Sequence, residues 1–212
     1  MSPITGKGKI ASLSSKKLSA EKGAFLVHPF NNAQVIAGQG TAGLEVAEDL
    51  QALDVVPDIA VVCTSGGGLM AGMALSLHQH FPDIEIVSAE PKGFEDYRLS
   101  LEAGSIVTNN RTSGSVQDAL LAPAPGDIGF SVSSAIVSHG VAVTDDEALF
   151  ASGCAAEELK LVVEPGGAAA LASVLAGKLD VAGKTVAVIL SGGNIDPEMA
   201  VRASSAYKAR PY

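Results

Sequence analysis

The sequence predicts an α/β fold, a three-layer parallel sheet with helices on both faces, and three observations predict it. From residue 58 onward, short apolar runs alternate with segments of helical periodicity, the pattern of successive βαβ units. The chain carries 23 glycines, no tryptophan and only 4% aromatic residues, a composition suited to closely packed helix-on-sheet layers whose turns hold ligands. With 47% hydrophobic and 17% charged residues in 212, it has the apolar content of a packed globule and not of a disordered chain.

Each element follows from local signals. Residues 1–15 are rich in Gly, Ser and Lys without periodicity and read as a disordered lead-in. Lys16 to Gly23 reads as the last turns of a helix stopped by glycine, followed by a short strand, Ala24 to Val27, and a turn at His28-Pro29. Thr41 is placed to cap a helix running to about Leu53, with Leu44, Val46, Ala47 and Leu50 inward, Glu45 and Glu48 outward, and Gly38 and Gly40 easing the approach. Beyond Pro57 come a strand over 58–64, a Gly-rich turn, a helix over 67–81, a strand over 84–89 and a helix near 94–103. Residues 104–129 are polar and then carry Pro123 and Pro125, which predicts an irregular surface connection. A segment over 135–138 leads to Val141-Ala142-Val143, after which Thr144 and Glu147 form a capping box for a helix through about Lys160. Glu164-Pro165-Gly166-Gly167 opens an alanine-rich helix over 167–176, and the strand Thr185 to Leu190 delivers Ser191-Gly192-Gly193-Asn194. There is no internal repeat.

Composition excludes several functions. A net charge of −9 argues against a partner bound through its phosphates by clustered Lys and Arg, so nucleic acid is not expected. No apolar run approaches the roughly 20 residues that a bilayer requires, and the N-terminus has no signal-peptide core, so neither a membrane anchor nor export is expected. Cys63 in an apolar strand and Cys154 in a helical pattern read as small buried hydrophobes, consistent with a reducing cytoplasm. His28, His78, His80 and His139 show no ligand spacing, which speaks against zinc.

The most informative stretch is Ser65-Gly66-Gly67-Gly68-Leu69, between the apolar run Ile59 to Cys63 and a helix. Glycines let the backbone approach an anion, and the free N–H groups at the helix start point at it. Each charge-assisted N–H bond contributes roughly 1.5–3 kcal/mol, so two or three would anchor a phosphate. Taken alone, the stretch equally describes a ligand-free strand-to-helix turn. A dinucleotide fold is disfavoured, because the G-x-G-x-x-G spacing is missing and Glu90 is the one acidic residue near a second strand end.

Four segments in order carry a resemblance: HPFNNAQVIAGQGTAGLE (28–45), VVCTSGGGLMAGMA (61–74), VEPGGAAALA (163–172) and VILSGGNID (188–196). Together they resemble the fold-type-II pyridoxal-phosphate enzymes, specifically the threonine/serine dehydratase and serine racemase group, whose fold is that of the tryptophan synthase beta subunit. The resemblance implies pyridoxal 5'-phosphate as cofactor, an amino acid as substrate and a homo-oligomer in the full-length relatives. It also implies a domain division: 16–30 as a remnant of the small domain, 31–200 as the large cofactor domain and 201–212 as a C-terminal tail. Ser65, Gly66, Gly67, Gly68 and Leu69 would hold the cofactor phosphate; Ser65 stands where relatives commonly have a further glycine. Ser191 would hydrogen-bond the pyridine nitrogen, and a hydroxyl there suits an unprotonated ring and β-elimination. Glu164 either lies near the cofactor ring or is a carboxylate favoured by a helix start, which contributes about 0.3–1 kcal/mol. Glu90, Asp96 and the carbonyl of Phe94 match positions that hold a divalent cation in metal-activated relatives; hard oxygen ligands suit Mg²⁺ or Ca²⁺, and ordinary solvated carboxylates are the alternative. Gln117-Asp118-Ala119 stands where relatives often have an Asp-Gly pair beside the cofactor.

One part of the pattern is missing. The family's cofactor lysine lies in a Ser-x-Lys-x-Arg-Gly-Ala-like motif, followed by an asparagine loop, and neither occurs here. None of Lys7, Lys9, Lys16, Lys17, Lys22, Lys92, Lys160, Lys178, Lys184 and Lys208 has that context, so no catalytic residue is assigned. The lysine is also the base, and loss of a base costs roughly 10²–10⁴ in rate. The sequence therefore reads as a truncated member, inactive by itself, with an exposed apolar seam and an open strand edge.

Overall fold

The computed structural model describes residues 17–209, so the lead-in expected over 1–15 lies outside the described residues. Residues 17–22 are helical and stop at Gly23, where φ is +62° and the Ala24 amide donates back to the Ser19 carbonyl at 3.1 Å. The main elements follow as α1 (Ala33–Ala52), β1 (Ile59–Cys63), α2 (Gly68–His80), β2 (Glu85–Pro91), α3 (Asp96–Ala103), α4 (Asp127–Ser133), β3 (Val137–Val143), α5 (Asp145–Cys154), α6 (Ala169–Leu175), β4 (Val186–Ile189) and α7 (Pro197–Lys208).

All four strands are parallel, in the order β3-β2-β1-β4. The period-2 alternation of β1 sorts its side chains between two cores. Ile59, Val61 and Cys63 join Val87, Ala169 and Ala172 on the α6 face, while Ala60 and Val62 join Met70, Met73 and Ile86 on the α2 face. Every β1 residue is buried, as a central parallel strand covered on both sides requires. Helices therefore flank the sheet on both faces, as expected.

Some expected elements differ. Ala24 to Val27 forms no strand; it is exposed, with Phe25 78% accessible. The first long helix starts eight residues before Thr41, capped instead by Asn32, whose side chain accepts the amides of Gln34 and Val35. Gly38 and Gly40 are thus inside α1, and Gly40 earns its place by packing: a Cβ on Gly72 of α2 would lie 2.5 Å from the Gly40 nitrogen. Interior glycines cost a helix roughly 0.5–1 kcal/mol each, which this close approach of two helices offsets. Ser76 of α2 ties the seam by donating to the Gly40 carbonyl at 2.7 Å. Leu44, expected inward, is 40% exposed because the buried stripe runs through Ile36, Gly40, Gly43 and Ala47. Of the two cysteines, both free, Cys63 is buried and Cys154 only half-buried.

The connection over 104–129 ends in a helix the sequence did not announce. The start of α4 is held by Asn31, whose amide donates to the Asp127 carboxylate at 3.0 Å and whose carbonyl oxygen accepts the Ile128 amide at 3.1 Å. The segment expected over 135–138 and the run Val141 to Val143 meet in one continuous strand, β3, which begins at Val137. At the C-terminus, α7 packs on α5 so closely that a Cβ on Gly153 would fall 2.2 Å from the Ala203 carbonyl oxygen.

Candidate cofactor site

The site forms at the carboxyl ends of β1 and β4, the edge of a parallel α/β sheet where ligands bind. Beyond β1 the chain turns through the glycines into α2. Gly67 is the N-cap, with φ +85°, a conformation that side chains rarely adopt, and a Cβ there would come within 2.8 Å of the Tyr97 ring. A Cβ on Gly66 would strike the Phe30 ring at 2.4 Å. The Ala71 amide donates to the Gly67 carbonyl at 2.9 Å, closing the first turn, so the amides of Gly68, Leu69 and Met70 have no acceptor within the helix and are available to an anion.

Two tethers hold the segment after residue 117 over this loop. Ser65 Oγ accepts the Ala122 amide at 3.1 Å, and the Gly126 amide donates to the Gly66 carbonyl at 2.9 Å. The Ser65 hydroxyl thus binds the loop wall. Between loop and wall lies a cavity of about 460 Å³, lined among others by Phe30, Cys63, Gly67, Leu69, Leu121 and Ser191. That size is in the range of small-molecule sites.

Ser191 is presented by a turn with several braces. Its amide donates to the Gly167 carbonyl at 3.1 Å, and the Glu164 amide donates to the Gly192 carbonyl at 2.9 Å. Gly192 has φ +66°, and a Cβ on it would meet Glu164 Oε1 at 2.4 Å. The Glu164 carboxylate also accepts the Asn194 amide, while burial and the nearby Asp118 carboxylate push its pKa up. Ser191 Oγ lies 2.9 Å from Cys63 Sγ. Burial raises the Cys63 thiol, and the Glu164 charge adds to that, outweighing the Ser191 hydrogen bond.

Of the residues expected at the site, Ser65, Gly66, Gly67, Gly68, Leu69 and Ser191 line one cavity. Glu164 does not line it: the carboxylate borders an adjoining cavity of about 240 Å³ with Asp118 and Asn194. Its position behind Gly192 makes it a brace for the Ser191 turn. Phe30 and Cys63 were not foreseen at the site. A phenylalanine after a proline turn and a cysteine in an apolar strand carry no local signal of a ligand, and only folding brings them to the glycine loop. No lysine among the described residues lines the cavity.

Glu90, Phe94 and Asp96 sit apart from this cavity, at the end of β2. Both Glu90 oxygens are engaged by α3, accepting the Tyr97 amide at 2.8 Å and the Arg98 amide at 2.7 Å. Asp96 Oδ1 accepts from Asn109 at 2.5 Å, and Oδ2 is buried without a partner. Burial raises the pKa of both carboxyls, Asp96 to about 7. Among the described residues no three His, Cys, Asp or Glu side chains gather as a metal site, so the expected cation has two carboxylates and one carbonyl at most. The solvated-carboxylate alternative fails outright, since both side chains are buried.

A family profile described as pyridoxal-phosphate dependent enzyme matches residues 6–192. The chain belongs to the pyridoxal-phosphate dependent enzyme family. It is 38% identical over 185 residues to an L-threonine ammonia-lyase of Thermotoga maritima, covering 86% of this chain and 44% of that protein. It is likewise 38% identical over 189 residues to a serine racemase of Arabidopsis thaliana, covering 86% of this chain and 55% of the relative. Among solved structures, maize serine racemase superposes with a TM-score of 0.81 at 35% identity, over 93% of this chain and 59% of that one. The chain spans about half the length of the curated relatives it matches. For a pyridoxal-phosphate dependent enzyme the glycine cradle fits, because Gly66 to Met70 line the cavity at the start of α2, where the amides of Gly68, Leu69 and Met70 have no acceptor within the helix. Among the described residues, no helix is long and apolar enough to cross a membrane.

Proposed function

We propose that this chain is the cofactor-holding part of a pyridoxal-phosphate-dependent ammonia-lyase of threonine/serine dehydratase type, which converts L-threonine or L-serine to a 2-oxo acid and ammonia. One observation carries the reading: the Gly66–Leu69 amides and the Ser191 hydroxyl border the same cavity, one suited to a phosphate and the other to a ring nitrogen. The names of the relatives, a threonine ammonia-lyase and a serine racemase, support the substrate class.

Bound pyridoxal phosphate supplies an electron sink that makes the α-proton of an amino acid removable and the β-hydroxyl expellable. The chain's own residues bind and orient. Residues 66–69 would grip the phosphate through backbone amides with help from the α2 dipole, and the Ser65 hydroxyl would hold the 118–122 wall against the cofactor. Ser191 would donate to an unprotonated ring nitrogen, which keeps the ring neutral. Glu164 would hold the Ser191 turn. The domain assignment goes with this reading: 31–200 as the cofactor domain, 16–30 as belonging to the smaller one. The buried, partnerless Asp96 Oδ2 supports a divalent cation, Mg²⁺ or Ca²⁺, held by Asp96, Glu90 and the Phe94 carbonyl outside the cofactor cavity.

A cavity lining without lysine among the described residues favours a second reading for the chain by itself, a cofactor-binding module without turnover. Borohydride reduction after addition of pyridoxal phosphate, with peptide mass mapping, separates the two. A single stoichiometric phosphopyridoxyl-lysine together with ammonia release from serine or threonine supports the lyase. Saturable binding that phosphate competes away, without a specific adduct, supports the module. Exchange of the α-proton with inversion and no ammonia would mark a racemase. Failure to bind the cofactor at all would end both readings.

A further inference from the structure

Cys63 is the last residue of β1, and Ser191 stands two residues beyond the end of β4. The parallel register pairs Val62 with Ile189, which sets Cys63 level with Leu190, and the turn that begins at Ser191 then brings the two side chains together, 2.9 Å apart between Sγ and Oγ. Both line the cavity that the glycine loop opens. Two arrangements of the hydrogen atoms are open to such a pair. If the hydroxyl donates to sulfur, the serine oxygen turns only lone pairs to the cavity, and an unprotonated pyridine nitrogen, itself an acceptor, is left with the weak S–H as the pair's one remaining donor. If the thiol donates to oxygen, the serine O–H is left to point into the cavity.

Chemistry favours the second arrangement. Sulfur is weak both as donor and as acceptor, whereas the serine hydroxyl is good at both, so the arrangement in which the weak S–H meets the serine oxygen leaves the strong O–H donor free for the ring nitrogen. Cys63 is only 3% exposed, and with the Glu164 carboxylate close by its thiol is held in the protonated form that can donate. A hydroxyl that accepts one hydrogen bond is polarised and becomes a better donor to the next group in the chain.

We propose that Cys63 is a positioning residue: its thiol donates to Ser191 Oγ and thereby turns the Ser191 O–H toward the ring nitrogen of the bound cofactor. This rests on the pyridoxal-phosphate reading above. Cys63 touches Ser191 and acts through it; the bond aligned is the one to nitrogen.

The test is equilibrium binding of pyridoxal 5'-phosphate and of its 1-deaza analogue, in which a C–H replaces the ring nitrogen, to the full chain and its variants. Cys63→Ala and Cys63→Val, which remove the donor with different loss of volume, should each weaken pyridoxal phosphate roughly 3- to 10-fold, the worth of one hydrogen bond. Both should leave the deaza analogue within about two-fold. Cys63→Ser, which keeps a donor, should restore the binding of pyridoxal phosphate. In a Ser191→Ala background the Cys63→Ala change should have no further effect, a cycle that needs no analogue. Equal weakening of both ligands, or an undiminished effect in the Ser191→Ala background, would show that Cys63 serves packing alone and overturn the inference. Unchanged affinity in Cys63→Ala and Cys63→Val would do the same. Wild-type chain that binds neither ligand would overturn the pyridoxal-phosphate reading itself, a result distinct from any effect of the variants.

Discussion

Gly167 and Ser191 are seated back to back: the Ser191 amide donates to the Gly167 carbonyl at 3.1 Å, and a Cβ added to Gly167 would lie 1.4 Å from the Ser191 carbonyl oxygen. No side chain fits there without moving one of the two turns. Gly167→Ala should therefore shift the Ser191 turn away from the cavity. The expected outcome is at least a ten-fold loss of pyridoxal phosphate affinity together with a stability loss of about 1–3 kcal/mol, the usual cost of overpacking. Denaturant unfolding and cofactor titration measure the two effects; unchanged values for both would show that the turn can relax.

Ser65 offers a milder perturbation. Its hydroxyl accepts the Ala122 amide and contributes no bulk to the core. Ser65→Ala should release the wall, cost about 0.5–1.5 kcal/mol in stability and speed hydrogen exchange at Ala122. Exchange at Ala122 as slow in the variant as in the parent would mean that the Gly126 to Gly66 bond holds the wall without help.

The sheet, its flanking helices and the glycine loop are legible in the sequence because each rests on local patterning: the all-apolar run Ile59 to Cys63 ahead of the glycines, and the Thr144-Glu147 box at the start of α5. Elements fixed by distant partners are not. Helix α4 is capped by Asn31, 96 residues away from Asp127, and nothing near Asp127 announces it. Local signals start α1 too late because Gly38 and Gly40 look like breakers, whereas Gly40 serves the contact with Gly72, a residue on another helix. At the site, Ser191 and the glycines were readable as motifs, while Cys63 and Phe30 acquire meaning only when β4 comes beside β1 and residue 30 folds over Gly66.

The α5 capping box gives a pH dependence. Thr144 Oγ1 accepts the Glu147 amide at 3.2 Å, and the Glu147 carboxylate accepts the Thr144 amide at 2.7 Å while pairing with Lys178 at 2.8 Å. Partial burial raises the Glu147 pKa, but the Lys178 and Thr144 bonds outweigh it and leave the group below its ordinary value. A depressed carboxyl stabilises the fold above the pKa it has in the unfolded chain, and that contribution fades as pH falls through the folded value. Stability should therefore drop below about pH 4.3, the ordinary glutamate value, and Glu147→Gln should flatten that part of the profile. Thr144→Ala should cost about 1 kcal/mol at neutral pH. Unfolding free energies measured from pH 3 to 7 decide it, and a Glu147→Gln profile parallel to that of the parent would count against the assignment.

The two edges of the sheet differ in chemistry. β3 carries Ser138, His139 and Gly140 in its middle, with His139 3.5 Å from Glu85, and this is how a solvent-facing edge is usually built. β4 reads Val186-Ala187-Val188-Ile189, apolar on both faces like an interior parallel strand, yet every one of its residues is only half-buried. Among the described residues it is bonded to β1 on one side alone, and none of them pairs with its other side. Amides on its outward side should exchange far faster than those of β1, and the chain should associate as its concentration rises. Ile189→Lys, which puts a charge on that edge, should shift the association to higher concentration. Sedimentation equilibrium reads the association directly: a monomer whose mass stays constant across a hundred-fold concentration range would show that this edge is protected in solution.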